Sequence, residues 1–297
     1  MKRIFSFSLI ALLLAGSLGL QAKGPKKQMA LQLYSIRSVF NDGNYQQKHA
    51  EVFKQLRDMG FTGVEAASYN NGKFYGVSPE QYRQDCIAAG LEPISSHATR
   101  GLNRQELDNH DFTAALQWWD QAIAAHKAAG MTYLVTPSGP VPKNLKEAQT
   151  LCDYYNAIGE RCRQAGLSYG YHTHSHEYQK VEGTPWIEIM LKNVKPENMF
   201  WQMDVYWCVM AQQSPVVWFK KFPGRCRMLH IKDLYELGQS GMLGFDAIFQ
   251  NAGLCGLENY IVELEGTDGT ISIMEGVRRS AEYLNNAKFV KKSYKKK

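Results

Sequence analysis

The sequence predicts a single-domain (β/α)8 barrel. Three observations carry this. Short β-rich runs alternate with amphipathic stretches eight times, a glycine follows each of the first four helical stretches, and about 275 residues remain once an N-terminal leader is set aside. Alternating β and α units imply a parallel sheet with helical crossovers, and one α/β barrel takes about 250 residues. The competing arrangement, an open doubly wound sheet, is weakened because no GxGxxG fingerprint follows the first strand.

In order, strands are expected at Ala30–Tyr34, Gly63–Ala66, Glu92–His97, Thr132–Thr136, Ser168–His172, Met199–Asp204, Met228–Ile231 and Tyr260–Glu263. Helical patterns lie between them at Gln46–Met59, Pro79–Ala89, Thr113–Ala129 and Leu145–Ala165. Gly60, Gly90, Gly130 and Gly166 follow these four, where a left-handed cap ends a helix before the next strand. No linker rich in Pro, Gly or Ser interrupts the series, so residues 23–287 read as one barrel.

The ends read differently. Lys2 and Arg3, an apolar run at Leu9–Leu14 and a small-residue site at Leu20-Gln21-Ala22 make residues 1–22 a secretory signal. The apolar segment is short of the roughly 20 residues a membrane span needs, and no Cys stands at the cleavage site for a lipid. The expectation is a periplasmic or secreted protein with no membrane contact after cleavage. The formal charge of +6 misleads: without Lys2, Arg3 and the six lysines of residues 288–297, 26 basic residues face 28 acidic ones. That tail reads as a solvated end, and the slightly acidic body argues against a nucleic-acid partner. The six cysteines form no CxxC pair. Cys152 and Cys162 share one expected helix, where ten residues of rise hold them about 15 Å apart, too far for a disulfide.

Chemistry concentrates in the second half. Strand five ends in Tyr171-His172-Thr173-His174-Ser175-His176-Glu177, strand six at Asp204, strand seven in His230-Ile231-Lys232-Asp233, and strand eight in Glu263-Leu264-Glu265. One metal-competent side chain, from the set His172, Asp204, His230 and Glu263, thus ends each of four consecutive strands. Any one alone reads as an ordinary loop residue, a helix cap or a salt-bridge partner. Recurring at one level of four neighbouring strands, they read as a site, because strand ends converge on the C-terminal mouth of a barrel. Two imidazoles and two carboxylates suit one divalent ion, Mn, Zn or Co, with Mg fitting a mostly oxygen shell better. Since i and i+2 share a face, His174, His176 and the nearby Glu177 compete with His172 for the strand-five ligand. By the same rule Lys232 follows His230 into the mouth, to hold a substrate oxygen or stabilise an enolate. His97, ending strand three, reads equally as an acid–base group or as a satisfied buried imidazole. Tyr34, Tyr69, Tyr206 and Trp207 offer flat rings for the apolar faces of a sugar.

From Leu31 to about Leu284 the chain resembles the sugar phosphate isomerase/epimerase family of xylose isomerase-like TIM barrels. The resemblance lies in Gly60-Phe61-Thr62-Gly63-Val64-Glu65, Gly170-Tyr171-His172-Thr173-His174 with Glu177, Pro223-Gly224-Arg225 leading into Leu229-His230-Ile231-Lys232-Asp233, and Tyr260-Ile261-Val262-Glu263. It implies a metal held by strands five to eight, matching Asp204, His230 and Glu263. Epimerases of the family use a glutamate on strand five as well, and exchange the substrate proton between it and the strand-eight glutamate. His172 stands where that first glutamate is expected, so the resemblance implies the metal site, while the two-glutamate exchange lacks its strand-five carboxylate here.

The expected reaction is proton abstraction next to a carbonyl through an enediolate, with Glu263, His97 or a strand-five histidine such as His174 as base. Return of the proton elsewhere makes an isomerase or epimerase; departure of a β-substituent makes a keto-sugar lyase or dehydratase, for example on a 3-keto-glycoside. Export, and the lack of a phosphate-cradling glycine loop, favour a small non-phosphorylated carbohydrate. A non-catalytic carbohydrate-binding barrel is the alternative from another class. A DNA-repair endonuclease on the same fold is disfavoured by export, by the acidic body and by the shortage of ligands for a three-zinc cluster. The sequence leaves the oligomeric state open.

Overall fold

The computed structural model describes residues 27–40 and 44–294; the expected signal, residues 1–22, lies outside them. Eight parallel strands run β1 Ala30–Gln32, β2 Gly63–Ala66, β3 Glu92–Ser96, β4 Tyr133–Thr136, β5 Ser168–Thr173, β6 Phe200–Asp204, β7 Met228–Ile231 and β8 Asn259–Val262. They pair in the order β3-β2-β1-β8-β7-β6-β5-β4. The remaining seam, between β3 and β4, closes through a parallel bridge of His97 with Val135 and backbone bonds from Ala98 N to Val135 O (2.9 Å) and Thr132 N to Ile94 O (3.2 Å). The barrel is therefore the predicted one, with every strand within a residue or two of its expected ends. The largest difference is at β1, where Leu33–Ile36 turns into a 3-10 helix.

Helices Tyr45–Met59, Pro79–Ala88, Thr113–Ala128 and Leu145–Gln164 form much of the outer layer. Between the strands and these helices lies the main apolar core, with Trp119, Trp186 and Trp201 fully buried. Inside the ring is a second, smaller core: Ala30, Ile94, Tyr133, Val135, Phe200, Met228 and Ile261. The Phe200 ring dictates a glycine opposite it. A Cβ on Gly170 would meet that ring at 2.4 Å, where no side chain fits. This apolar floor fills the lower barrel, and two residues further along β1, β6, β7 and β8 the side chains turn polar, at Gln32, Gln202, His230 and Glu263.

All six cysteines are free and buried. Cys152 and Cys162 share the helix Leu145–Gln164, as expected. The C-terminal segment differs from the solvated end expected of it. Val290 is buried, Tyr294 packs against Phe249 and Tyr260, and Gln28 N–H donates to Lys292 O at 2.8 Å. Apolar residues interspersed among the lysines dock the segment through residue 294. Among the described residues no helix is long and apolar enough to cross a membrane.

Candidate metal centre

The register brings the four strand-end residues together. Gln202 on β6 lies beside His172 on β5, and Asp204 beside His230 on β7. His172, Asp204, His230 and Glu263 are all buried, and each offers a ligand atom within 4.8 Å of the others. Asp204 divides its carboxylate. Oδ1 accepts the Trp207 N–H at 3.0 Å and caps the helix Val205–Met210, while Oδ2 is buried with no hydrogen-bond partner. An orphaned buried carboxylate oxygen is costly unless a proton or cation compensates it. Burial, and then the charge of Glu263, accordingly push the Asp204 carboxyl above its ordinary range. Two imidazoles, two carboxylates and an oxygen without a partner fit a divalent ion.

Electrostatics separate the two imidazoles. Burial, with His230, His97 and His174 nearby, holds His172 well below the usual histidine range, so it is neutral as a ligand must be. For His230 burial acts downward too, but Glu65 and Glu263 against its two nitrogens lift it to about 10. Its Nε2 stands 2.7 Å from Glu65 Oε1 and its Nδ1 3.0 Å from Glu263 Oε2. Without an ion His230 thus holds a proton between two carboxylates. Burial works to raise Glu263, yet the His230 hydrogen bond and the charges of His230 and Lys232 keep it low and ionised.

Beneath the four lies a polar layer of which sequence reasoning singled out only His97. Glu65, fully buried on β2, accepts Gln32 Nε2 at 2.8 Å, Ser95 Oγ at 2.6 Å and Gln202 Nε2 at 3.0 Å, besides His230. Burial tends to raise its carboxyl, but His97 and His230 hold it well below the usual range. His97 belongs to this layer: Nε2 is 2.9 Å from Gln202 Oε1 and 3.1 Å from Glu65 Oε1, Nδ1 is 3.3 Å from Gln32 Nε2, and the ring stacks on His230 at 5.3 Å. The signal for Glu65 was a lone carboxylate inside the otherwise apolar run Gly63-Val64-Glu65-Ala66. A charge there must be buried and therefore paired.

Above the four sits the rim. His174 packs its ring on His172 (4.7 Å) and Trp207 (5.8 Å), and its Nδ1 is buried without a partner. His176 Nε2 pairs with Glu177 Oε1 at 2.9 Å. Glu177 Oε2 also accepts the His174 backbone N–H at 2.8 Å, pinning the loop after β5. Lys232 is buried, with its ammonium 2.6 Å from Glu265 Oε1 and 5.1 and 5.4 Å from the Trp207 and Tyr206 rings. Tyr34 is exposed after β1, with Arg37 stacked on it at 4.2 Å. Tyr69 goes elsewhere: its ring packs against Phe74, Trp118 and His126 in the helical layer.

The comparisons bear on the fold and the family. A sugar phosphate isomerase/epimerase from Parabacteroides distasonis ATCC 8503 is 34% identical, with a TM-score of 0.81 over 91% of this chain and 97% of that one. L-ribulose 3-epimerase (13% identity, TM-score 0.67, 86% and 93% covered) and the IOLI protein with a bound zinc atom (12%, 0.64, 86% and 95%) share the fold. No curated protein matches. The model of the xylose isomerase-like TIM barrels matches residues 53–291, and the chain belongs to that family.

Proposed function

We propose that the protein is a metal-dependent carbohydrate isomerase or epimerase that removes a proton from the carbon beside a carbonyl of a non-phosphorylated sugar or keto-sugar. The observation carrying this is the buried quartet His172, Asp204, His230 and Glu263 with the unpartnered Asp204 Oδ2. Those four would hold a divalent ion, Mn, Zn, Co or Mg, which would supply Lewis-acid polarisation of the carbonyl. The remaining work falls to the chain. Glu263, held ionised, accepts the proton. His174, kept neutral by burial and with Nδ1 unpartnered, is the second proton carrier. Lys232 holds a substrate oxygen from beside Trp207 and Tyr206, whose rings take the apolar sugar face, and Tyr34, exposed after β1, offers another. With both ring nitrogens engaged below, His97 supports the centre rather than transferring the proton.

One observation favours a second reading, a keto-sugar lyase. Strand five contributes an imidazole where the two-glutamate exchange needs a carboxylate. The hydrogen bond that His176 Nε2 donates to Glu177 Oε1 also raises this imidazole above its ordinary range, which favours it as the proton donor to a departing oxygen. On a 3-keto-glycoside the ketone acidifies the C2 proton and the C1 substituent leaves. Incubation of the metal-loaded protein with keto-sugars and glycosides in D2O separates the two: solvent deuterium in a recovered sugar marks epimerisation, a released aglycone marks elimination. Turnover of none, with sugars still bound, would leave a carbohydrate-binding barrel. Export after cleavage at Ala22 is part of the proposal, and N-terminal sequencing of the protein from a periplasmic fraction checks it.

A further inference from the structure

We propose that Glu65 is the positioning residue of the metal centre, one carboxylate that sets the tautomer of both imidazole ligands. This rests on the metal reading above. A carboxylate only accepts hydrogen bonds when ionised. His230 Nε2, 2.7 Å from Glu65 Oε1, is therefore the protonated nitrogen, which leaves Nδ1, on the Glu263 side, as the one with a lone pair for an ion.

The second imidazole is set at one remove. Gln202 presents its amide to Glu65 Oε2 at 3.0 Å, and because that oxygen accepts, the Gln202 group facing it is the NH2. Its Oε1 then faces the other way, where His172 Nδ1 lies at 3.0 Å and His97 Nε2 at 2.9 Å. Both are obliged to donate to it. His172 is left with Nε2 as its ligating nitrogen. Gln32 completes the frame: its NH2 donates to Glu65 at 2.8 Å, and its Oε1 accepts the Tyr34 N–H at 3.1 Å. Reversing any one amide would set donor against donor at a fully buried position, so the pattern is mutually enforced. Partners of this kind around metal-binding histidines are worth typically 10–100-fold in metal affinity.

The test uses the Co(II)-loaded full chain and proton NMR. Wild type is expected to show two far-shifted, solvent-exchangeable signals, the Nδ1–H of His172 and the Nε2–H of His230. Gln202→Leu should lose the His172 signal and keep that of His230. Glu65→Gln should disturb both and weaken Zn(II) binding about 10–100-fold, while circular dichroism of the metal-free variant shows the barrel still folded. If Glu65→Gln fails to fold, the wild-type and Gln202→Leu spectra decide the matter. Cobalt bound without the exchangeable pair, or Glu65→Gln binding zinc as tightly as wild type, overturns this proposal alone. A chain that takes up no divalent ion overturns it together with the proposed function.

Discussion

Two polar layers lie one above the other in the same barrel, and they are built to opposite rules. In the lower one, around Glu65, Gln32, Ser95, His97 and Gln202 meet in a closed network of hydrogen bonds. In the upper one Asp204 Oδ2 and His174 Nδ1 are buried with no partner, and so is Trp207 Nε1 at the rim. A buried polar atom left unpaired costs about 1–3 kcal/mol. The lower layer avoids that cost and serves as a rigid base. The upper layer carries it at the very atoms that the proposed ion and substrate would meet.

The largest effect should come from the upper layer. Asp204→Asn keeps a good helix cap, since Asn caps as well as Asp, but it removes the charged ligand. Zinc binding followed by calorimetry should weaken by more than the roughly 100-fold upper range for a mere supporting partner, with the melting temperature of the metal-free protein little changed. Unchanged affinity would place the ion elsewhere. Next comes pH. An ion must displace the His230 proton, and His230 stays protonated up to about pH 10. Apparent affinity should therefore rise about tenfold per pH unit through neutrality. It should rise more steeply at lower pH, where the raised Asp204 carboxyl is protonated too. A flat profile from pH 6 to 8 would contradict a charged His230.

Within the lower layer Gln32, which touches neither His172 nor His230, should answer in stability instead. Gln32→Leu strips a donor from the buried Glu65 carboxylate and should lower unfolding free energy by about 1–3 kcal/mol, read by denaturant titration of the metal-free protein. Were metal affinity to collapse in Gln32→Leu while stability held, Gln32 would belong with the residues that orient the imidazoles rather than with the base. The smallest effect belongs to Tyr69→Phe. The ring packs in the helical layer, so kcat and KM should not move.

The two layers were also unequally legible in the sequence. The metal-competent residues end their strands, and in a barrel chain order alone carries consecutive strand ends to one mouth, so spacing was enough to expect Asp204, His230 and Glu263 side by side, as they are. Asp204 proved to be a helix cap and a ligand candidate at once, because its two oxygens face different ways. Gln32, Glu65 and Gln202 sit inside strands thirty or more residues apart, and nothing local says that they converge on one point. Tyr69 is expected among the sugar-facing rings, but it lies in a short hairpin, Tyr69–Asn70 with Lys73–Phe74, and packs on Trp118 and His126 of the helical layer. At the C-terminus the lysine run masked Val290 and Tyr294, whose burial decides where the chain goes.

The seam between β3 and β4 gives the barrel a direction of weakness. Other neighbouring strands share a ladder, whereas this pair meets through one bridge and a few flanking bonds. His97 stands on that bridge, and its imidazole reaches across the interior to Gln202 on the far wall. The side chain thus acts as a tie rod: it fastens the loosest joint of the cylinder to the strand that carries Asp204. Strain that opened the joint would be felt first in the frame around the ligands, so the dimensions of the mouth are maintained from within rather than by the sheet alone.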